Sequence, residues 1–193
     1  MLKKTAVAAL ASVALVPMSQ AMADDYVIDT EGQHAFVQFK ISHLGMSYIL
    51  GSFREFSGEF SYDPEDLSAS SVNVEVDVAS LDSNHAERDK HILSDDFLNA
   101  EEYPTATFTS TGFESDGDKS GTLTGELTLH GETQEIEMPV TLLGEGEDPW
   151  GNYRAGFEGS TTLVLSDYGI DMSDFPEPMH ELELYVTFEG IRQ

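Results

Sequence analysis

The chain contains no cysteine, which excludes disulfides, thiol catalysis and thiolate metal sites together. Positive charge is nearly as scarce. Nine Lys and Arg stand against 36 Asp and Glu, for a formal net charge of −27. So acidic a surface repels phosphate backbones and anionic headgroups, so nucleic acid is not expected as a partner. The acidic shell is instead a solubility device that suits salt, where self-repulsion is screened. Only one tryptophan is present, Trp150, in a Gly/Asp/Pro loop; a membrane-spanning barrel carries aromatic girdles at both interfaces. After residue 23 no apolar run approaches the roughly 20 residues of a spanning helix. The chain is therefore not expected to be integral to a membrane.

What is present begins with a leader. Met1-Leu2-Lys3-Lys4 is basic, Thr5 to Val16 is an uncharged Ala/Val/Leu run closed by Pro17, and Ala21-Met22-Ala23 supplies small residues for a signal peptidase. The expected cut lies between Ala23 and Asp24, which makes 1–23 a signal peptide, 24–193 one domain, and the periplasm the expected location. About 170 residues suffice for one domain enclosing a core or cavity.

Period-two alternation dominates that domain. Val72, Val74, Val76 and Val78 alternate with Ser71, Asn73, Glu75 and Asp77, the pattern of a half-buried strand. The same alternation recurs at 37–41, 56–62, 123–129, 136–142 and 182–188, and more weakly at 105–111 and 157–165. With a short segment at 26–29 this gives about eight or nine strands separated by turn signals such as Asp63-Pro64 and His130-Gly131, hence an all-β barrel or sandwich. Asn84-His85-Ala86-Glu87 has the spacing of a capping box and opens a short helical insert that ends before Tyr103-Pro104. Gly58, Gly125 and Gly159 fall on the apolar parity of their strands. They either leave room for a ligand or mark bulges that let the barrel close.

Chemical motifs are few. Asp116-Gly117-Asp118-Lys119-Ser120-Gly121 starts like a calcium loop, but Leu127 stands where a bidentate Glu is required, so a hairpin turn is expected. The six histidines include no i,i+4 pair, and no metal site is expected. No Gly-x-Ser-x-Gly elbow occurs. Arg88-Asp89-Lys90-His91 gathers two cations and an imidazole in a chain with hardly any others. It suits an anionic headgroup, or else Arg88 and Lys90 pair with Glu87, Asp89, Asp95 or Asp96 on an exposed helix.

Several segments in order resemble the YceI-like family of periplasmic, lipocalin-like proteins. They are Gly32-Gln33-His34-Ala35-Phe36-Val37, His43-Leu44-Gly45, Asn84 to His91, Asp96-Phe97-Leu98-Asn99, Tyr103-Pro104, Ala106 to Thr111, Leu127 to Gly131, and Asp148-Pro149-Trp150-Gly151. The resemblance implies an extended eight-stranded antiparallel β-barrel with a helical insert. It further implies a long internal pocket for an isoprenoid or other long-chain apolar ligand, a binding role without catalysis, and no cofactor. Many relatives place an Arg before a Ser/Thr-Asp-Phe/Tyr-Gly run, where this chain has Leu165-Ser166-Asp167-Tyr168-Gly169. A quinone is then as reasonable a ligand as a prenyl pyrophosphate. By strand parity Val37, Phe39, Ile41, Phe60, Phe108, Leu127 and Leu129 are expected to wall the pocket, with His34, His43, Arg88 and His91 at its mouth. A monomer or homodimer is expected. A cavity enzyme acting on such a lipid, and a stress protein with a filled barrel, are the alternatives.

Overall fold

The alternating segments fold as strands because each offers one apolar and one polar face, and only closure into a barrel hides every apolar face at once. In the computed structural model, which describes residues 23–117 and 119–193, there are eleven strands: β1 (Asp24–Ile28), β2 (Phe36–His43), β3 (Ser47–Phe53), β4 (Phe56–Tyr62), β5 (Ser71–Asp77), β6 (Leu81–Asp82), β7 (Thr105–Ser115), β8 (Ser120–Leu129), β9 (Glu132–Glu147), β10 (Tyr153–Val164) and β11 (Glu181–Arg192). One helix, α1 (Ala86–Ile92), follows β6. Residues 1–22 of the expected leader and Asp118 lie outside the described residues. No described helix is long and apolar enough to cross a membrane.

The eleven strands make eight staves. β1 and β2 run end to end along β11, β3 and β4 run end to end along them, and β5 and β6 form a third broken stave. β7 to β11 are unbroken, and the pairing of β1 with β11 closes the antiparallel ring. Residues 29–35 loop out of the first broken stave. Arg54-Glu55 and the 3-10 turn Val78–Ser80 break the other two at one level, where Asp77 N–H donates to Glu55 O at 2.9 Å and Arg54 N–H to Ser80 O at 3.2 Å. Register shifts at Ser110/Gly112 and Gly156/Phe157 bend two further staves.

In every strand but β3, which is apolar on both faces, the more apolar parity points inward. Outward positions carry acids, among them Glu59, Glu75, Glu126, Glu135 and Glu137, all exposed. That is the reverse of the lipid-facing band of a membrane barrel.

Two expectations change. Gly58 and Gly125 leave no spare room, and of the two only Gly125 sits at a register shift, where it pairs with Ser110 beside the β7 irregularity. A Cβ at Gly125 would collide with the Phe108 ring, and one at Gly58 would lie 2.7 Å from Ile28 Cδ1. The same holds for Gly51 under Phe39, Gly121 under Phe113 and Gly190 under Phe60. Gly58 makes way for Ile28, and the other four let phenylalanine rings from nearby strands lie flat against the wall. The helix cap is likewise His85 rather than Asn84. Asn84 sits at φ 64°, and the His85 imidazole accepts from Arg88 N–H at 3.2 Å.

Candidate functional site

A cavity of about 390 Å³ runs inside the barrel, within the size range of small-molecule sites. All seven expected wall residues line it: Val37, Phe39 and Ile41 from β2, Phe60 from β4, Phe108 from β7, Leu127 and Leu129 from β8. Parity carries them there. β9 adds Ile136 and Met138, and β11 adds Leu182, Leu184, Val186 and Phe188. Towards the β1 end the interior narrows to an aromatic cluster. Tyr26 and Phe60 stack with centroids 4.7 Å apart, and Phe157 meets Phe60 edge-on at 5.5 Å and Tyr62 at 5.3 Å.

The opposite end is closed by loops that alternation could not mark. The segment from Leu165 to His180 folds over the barrel and brings Ile170, Met172, Phe175 and Met179 onto the wall. Two histidines pin it. His130 Nδ1 lies 2.9 Å from Tyr168 O, and His180 Nε2 lies 2.9 Å from Phe175 O. Burial raises the Tyr168 phenol to about 12, so it stays neutral. From the other side α1 contributes Arg88, His91 and Ile92, and the turn after it contributes Phe97. The one sequence signal for these residues is the run of apolar side chains in segments that lack strand alternation.

Arg88 and His91 therefore reach the cavity. The Arg88 Nε donates to Ser83 Oγ at 2.7 Å and its Nη2 to Ser83 O. Ser83 is buried and donates in turn, through N–H at 2.9 Å and through Oγ, to Asp89. Arg54, Arg154 and Arg192 each pair with a carboxylate; among the described residues Arg88 does not. The expected exposed ion pairing of the helix gives way to a different one, in which Asp96 takes His91 at 3.3 Å. The His91 side chain is 59% exposed although it lines the cavity, so the cavity reaches the surface beside α1.

His34 and His43 stand away from the cavity. His43 ends β2 on the exposed side. His34 lies in the loop between β1 and β2, its Nδ1 2.8 Å from Glu189 Oε1. Glu189 belongs to a cluster on the outer wall centred on Arg154. The Arg154 Nη1 donates to Asp29 at 2.6 Å and to Glu189 at 2.8 Å, and its Nε to Asp148 at 2.7 Å. These bonds hold the Asp148 and Asp29 carboxyls well below their usual range. Asp29, His34 and Glu189 come close enough to hold a cation, but the guanidinium already supplies the charge they would bind.

The YceI-like domain matches residues 26–189. A UPF0312 protein of Azotobacter vinelandii is 54% identical over 193 residues, covering all of both chains. The crystal structure of Burkholderia cenocepacia BcnA superposes with a TM-score of 0.74 at 22% identity, over 84% of this chain and 98% of that one. A polyisoprenoid-binding domain from Saccharophagus degradans, implicated in plant cell wall breakdown, superposes with a TM-score of 0.68 at 14% identity, over 87% and 98%. A match to one domain across nearly the whole barrel, with a full-length relative at this identity, settles the kinship: the chain belongs to the YceI-like family.

Proposed function

We propose that the protein binds an isoprenoid-type lipid in its barrel and carries it through the periplasm without transforming it. The observation that carries this reading is a cavity walled mainly by apolar side chains and ended beside α1 by a guanidinium that, among the described residues, pairs with no carboxylate. An apolar tail in the barrel gains about 0.8 kcal/mol per buried CH₂, set against the cost of immobilising it. Arg88 still has donors free beyond its bonds to Ser83, and these suit a phosphate or a quinone carbonyl, with His91 beside it. A barrel of this fold, in the Saccharophagus degradans domain, is described as polyisoprenoid-binding. The leader at 1–23, with its cut between Ala23 and Asp24, supports export.

Native mass spectrometry of protein taken from its own periplasm, followed by organic extraction, tests the reading. A stoichiometric apolar adduct is expected. Replacing Arg88 with Gln is expected to weaken a prenyl phosphate about tenfold, the equivalent of 1.4 kcal/mol, and to leave a headless prenyl alcohol nearly unaffected. An apo mass, with no binding of prenyl phosphates or quinones when they are offered, would leave a filled structural barrel instead.

A further inference from the structure

The β2–β3 hairpin is unlike the rest of the outer surface. Residues 41–53 contain no Asp, Glu, Lys or Arg, whereas the outward faces of β4, β5, β8 and β9 carry exposed glutamates. The flanking cations are already neutralised, Lys40 by Glu183 at 2.7 Å and Arg54 by Asp82. Apolar side chains stand out from this neutral element: Leu44 is 44% exposed, Met46 84%, Tyr48 65% and Leu50 64%. Leu44 is held at φ 57° and Gly45 at φ 72° in a tight turn closed by Met46 N–H to His43 O at 3.0 Å. Asn, Asp or Gly ordinarily take the first of those two positions. A leucine there keeps a strained backbone and places an apolar group at the tip, the kind of cost that marks a functional contact.

The hairpin also lacks the usual protection of an edge. β6 pairs only with Ser52 and Phe53, so among the described residues Ser47 to Gly51 have no strand on their far side. Native edges are normally blunted by charge, and this one has none. On its inner face the same strand presents Ile49 and Phe53 to the cavity, and the turn packs against Pro178, whose neighbour Met179 also lines it. Apolar surface thus lies on both sides of one strand, at the end of the barrel where the cavity reaches the surface.

We propose that this hairpin docks the protein on a lipid bilayer of low surface charge and forms the lip over which cargo passes between bilayer and cavity; the second half of the proposal rests on the carrier reading, the first does not. A bilayer fits better than a second copy of the chain. Edge pairing between copies would use the backbone of 47–51 and bring together two strongly acidic bodies, and it would leave Leu44 and Met46 at the tip uncovered. A neutral membrane surface takes all four side chains, and tyrosine at the margin of an apolar patch suits the headgroup level.

Trp150, 80% exposed, sits in the loop joining β9 and β10, at the opposite end of β11 from the hairpin. It reports independently on the far end of the molecule. Full-length mature protein is mixed with phosphatidylcholine vesicles, and co-flotation and tryptophan emission are recorded. Native protein is expected to float with the vesicles and Trp150 to keep its emission. A Met46→Trp, Trp150→Phe variant is expected to shift to the blue. The triple variant Met46→Glu, Tyr48→Glu, Leu50→Glu, altered only at exposed positions, is expected to lose flotation. It should still bind a fluorescent farnesyl lipid delivered from cyclodextrin, yet take it up from vesicles at least tenfold more slowly. A blue shift of Trp150, or flotation unchanged in the triple variant, overturns the proposal. So does a concentration-dependent dimer that the triple variant abolishes while native protein ignores vesicles. Flotation without farnesyl uptake by any route would overturn the carrier reading and leave the docking surface standing.

Discussion

Arg154 shows how one side chain holds together parts of the chain far apart in sequence. It joins Asp29 at the start of the first loop, Asp148 in the β9–β10 turn and Glu189 in the last strand, so it fastens the seam where β11 meets both β1 and β10. The arginine and the two aspartates expose little of their side chains, 17%, 9% and 7%. Arg154→Met is expected to cost about 2–3 kcal/mol in denaturant unfolding at pH 7, the low side of what an orphaned, largely buried charge costs. The pH dependence has a definite sign. Asp29 and Asp148 titrate below the ordinary 3.8 when folded, chiefly through their hydrogen bonds with Arg154. Their contribution is therefore complete above that value and is lost progressively as pH falls from it through their lower folded values. The gap between native and Arg154→Met protein should narrow below about pH 4; a gap constant from pH 7 to pH 3 would assign the loss to packing alone.

The elements differ in how openly the sequence announces them. Strands with one polar face, such as β5 and β8, are plain from alternation. β3 is hidden, because Tyr48 and Leu50 point outward while Ile49 and Phe53 point inward, and a strand apolar on both faces has no period-two contrast. The three broken staves are hidden for another reason: breaks at Arg54-Glu55 and Val78–Ser80 depend on pairing partners distant in sequence. Wall residues were legible where parity carried them, as at Phe39 and Leu127, and not in the 165–180 loop, where tertiary packing alone turns Ile170 and Met172 inward. In α1 the sequence names Arg88 and His91 but not what aims them. Asp89 does so through buried Ser83. Asp89→Ala strips the acceptor from two buried donors and is expected to lower stability by about 1–3 kcal/mol. It should also speed release of a prenyl phosphate, with Asp89→Asn restoring much of both. A variant with native stability and unchanged release would show that Arg88 needs no such support.

Over the described residues, apolar surface is concentrated inside and negative charge outside, an arrangement that keeps the barrel's outer face hydrated but sets its staves against one another. The conflict is concrete where β8 and β9 pair, since Glu126 lies directly opposite Glu135 and both are exposed. Like charges facing each other across a ladder are destabilising, and at low ionic strength they act over about 30 Å, against about 3 Å in 1 M salt. The melting temperature is therefore expected to climb as NaCl rises from 10 mM to 1 M. The Arg154 cluster opposes this trend only weakly, because it is largely shielded from solvent. Glu135→Lys should raise stability by about 0.5 kcal/mol at 10 mM salt and have little effect at 1 M, since the repulsion it relieves is then already screened. General exclusion of salt from apolar surface would raise both proteins equally, so the difference between them isolates charge. If Glu135→Lys were as helpful at 1 M as at 10 mM, the gain would come from packing on the sheet, and the acidic face would impose no electrostatic load on the barrel.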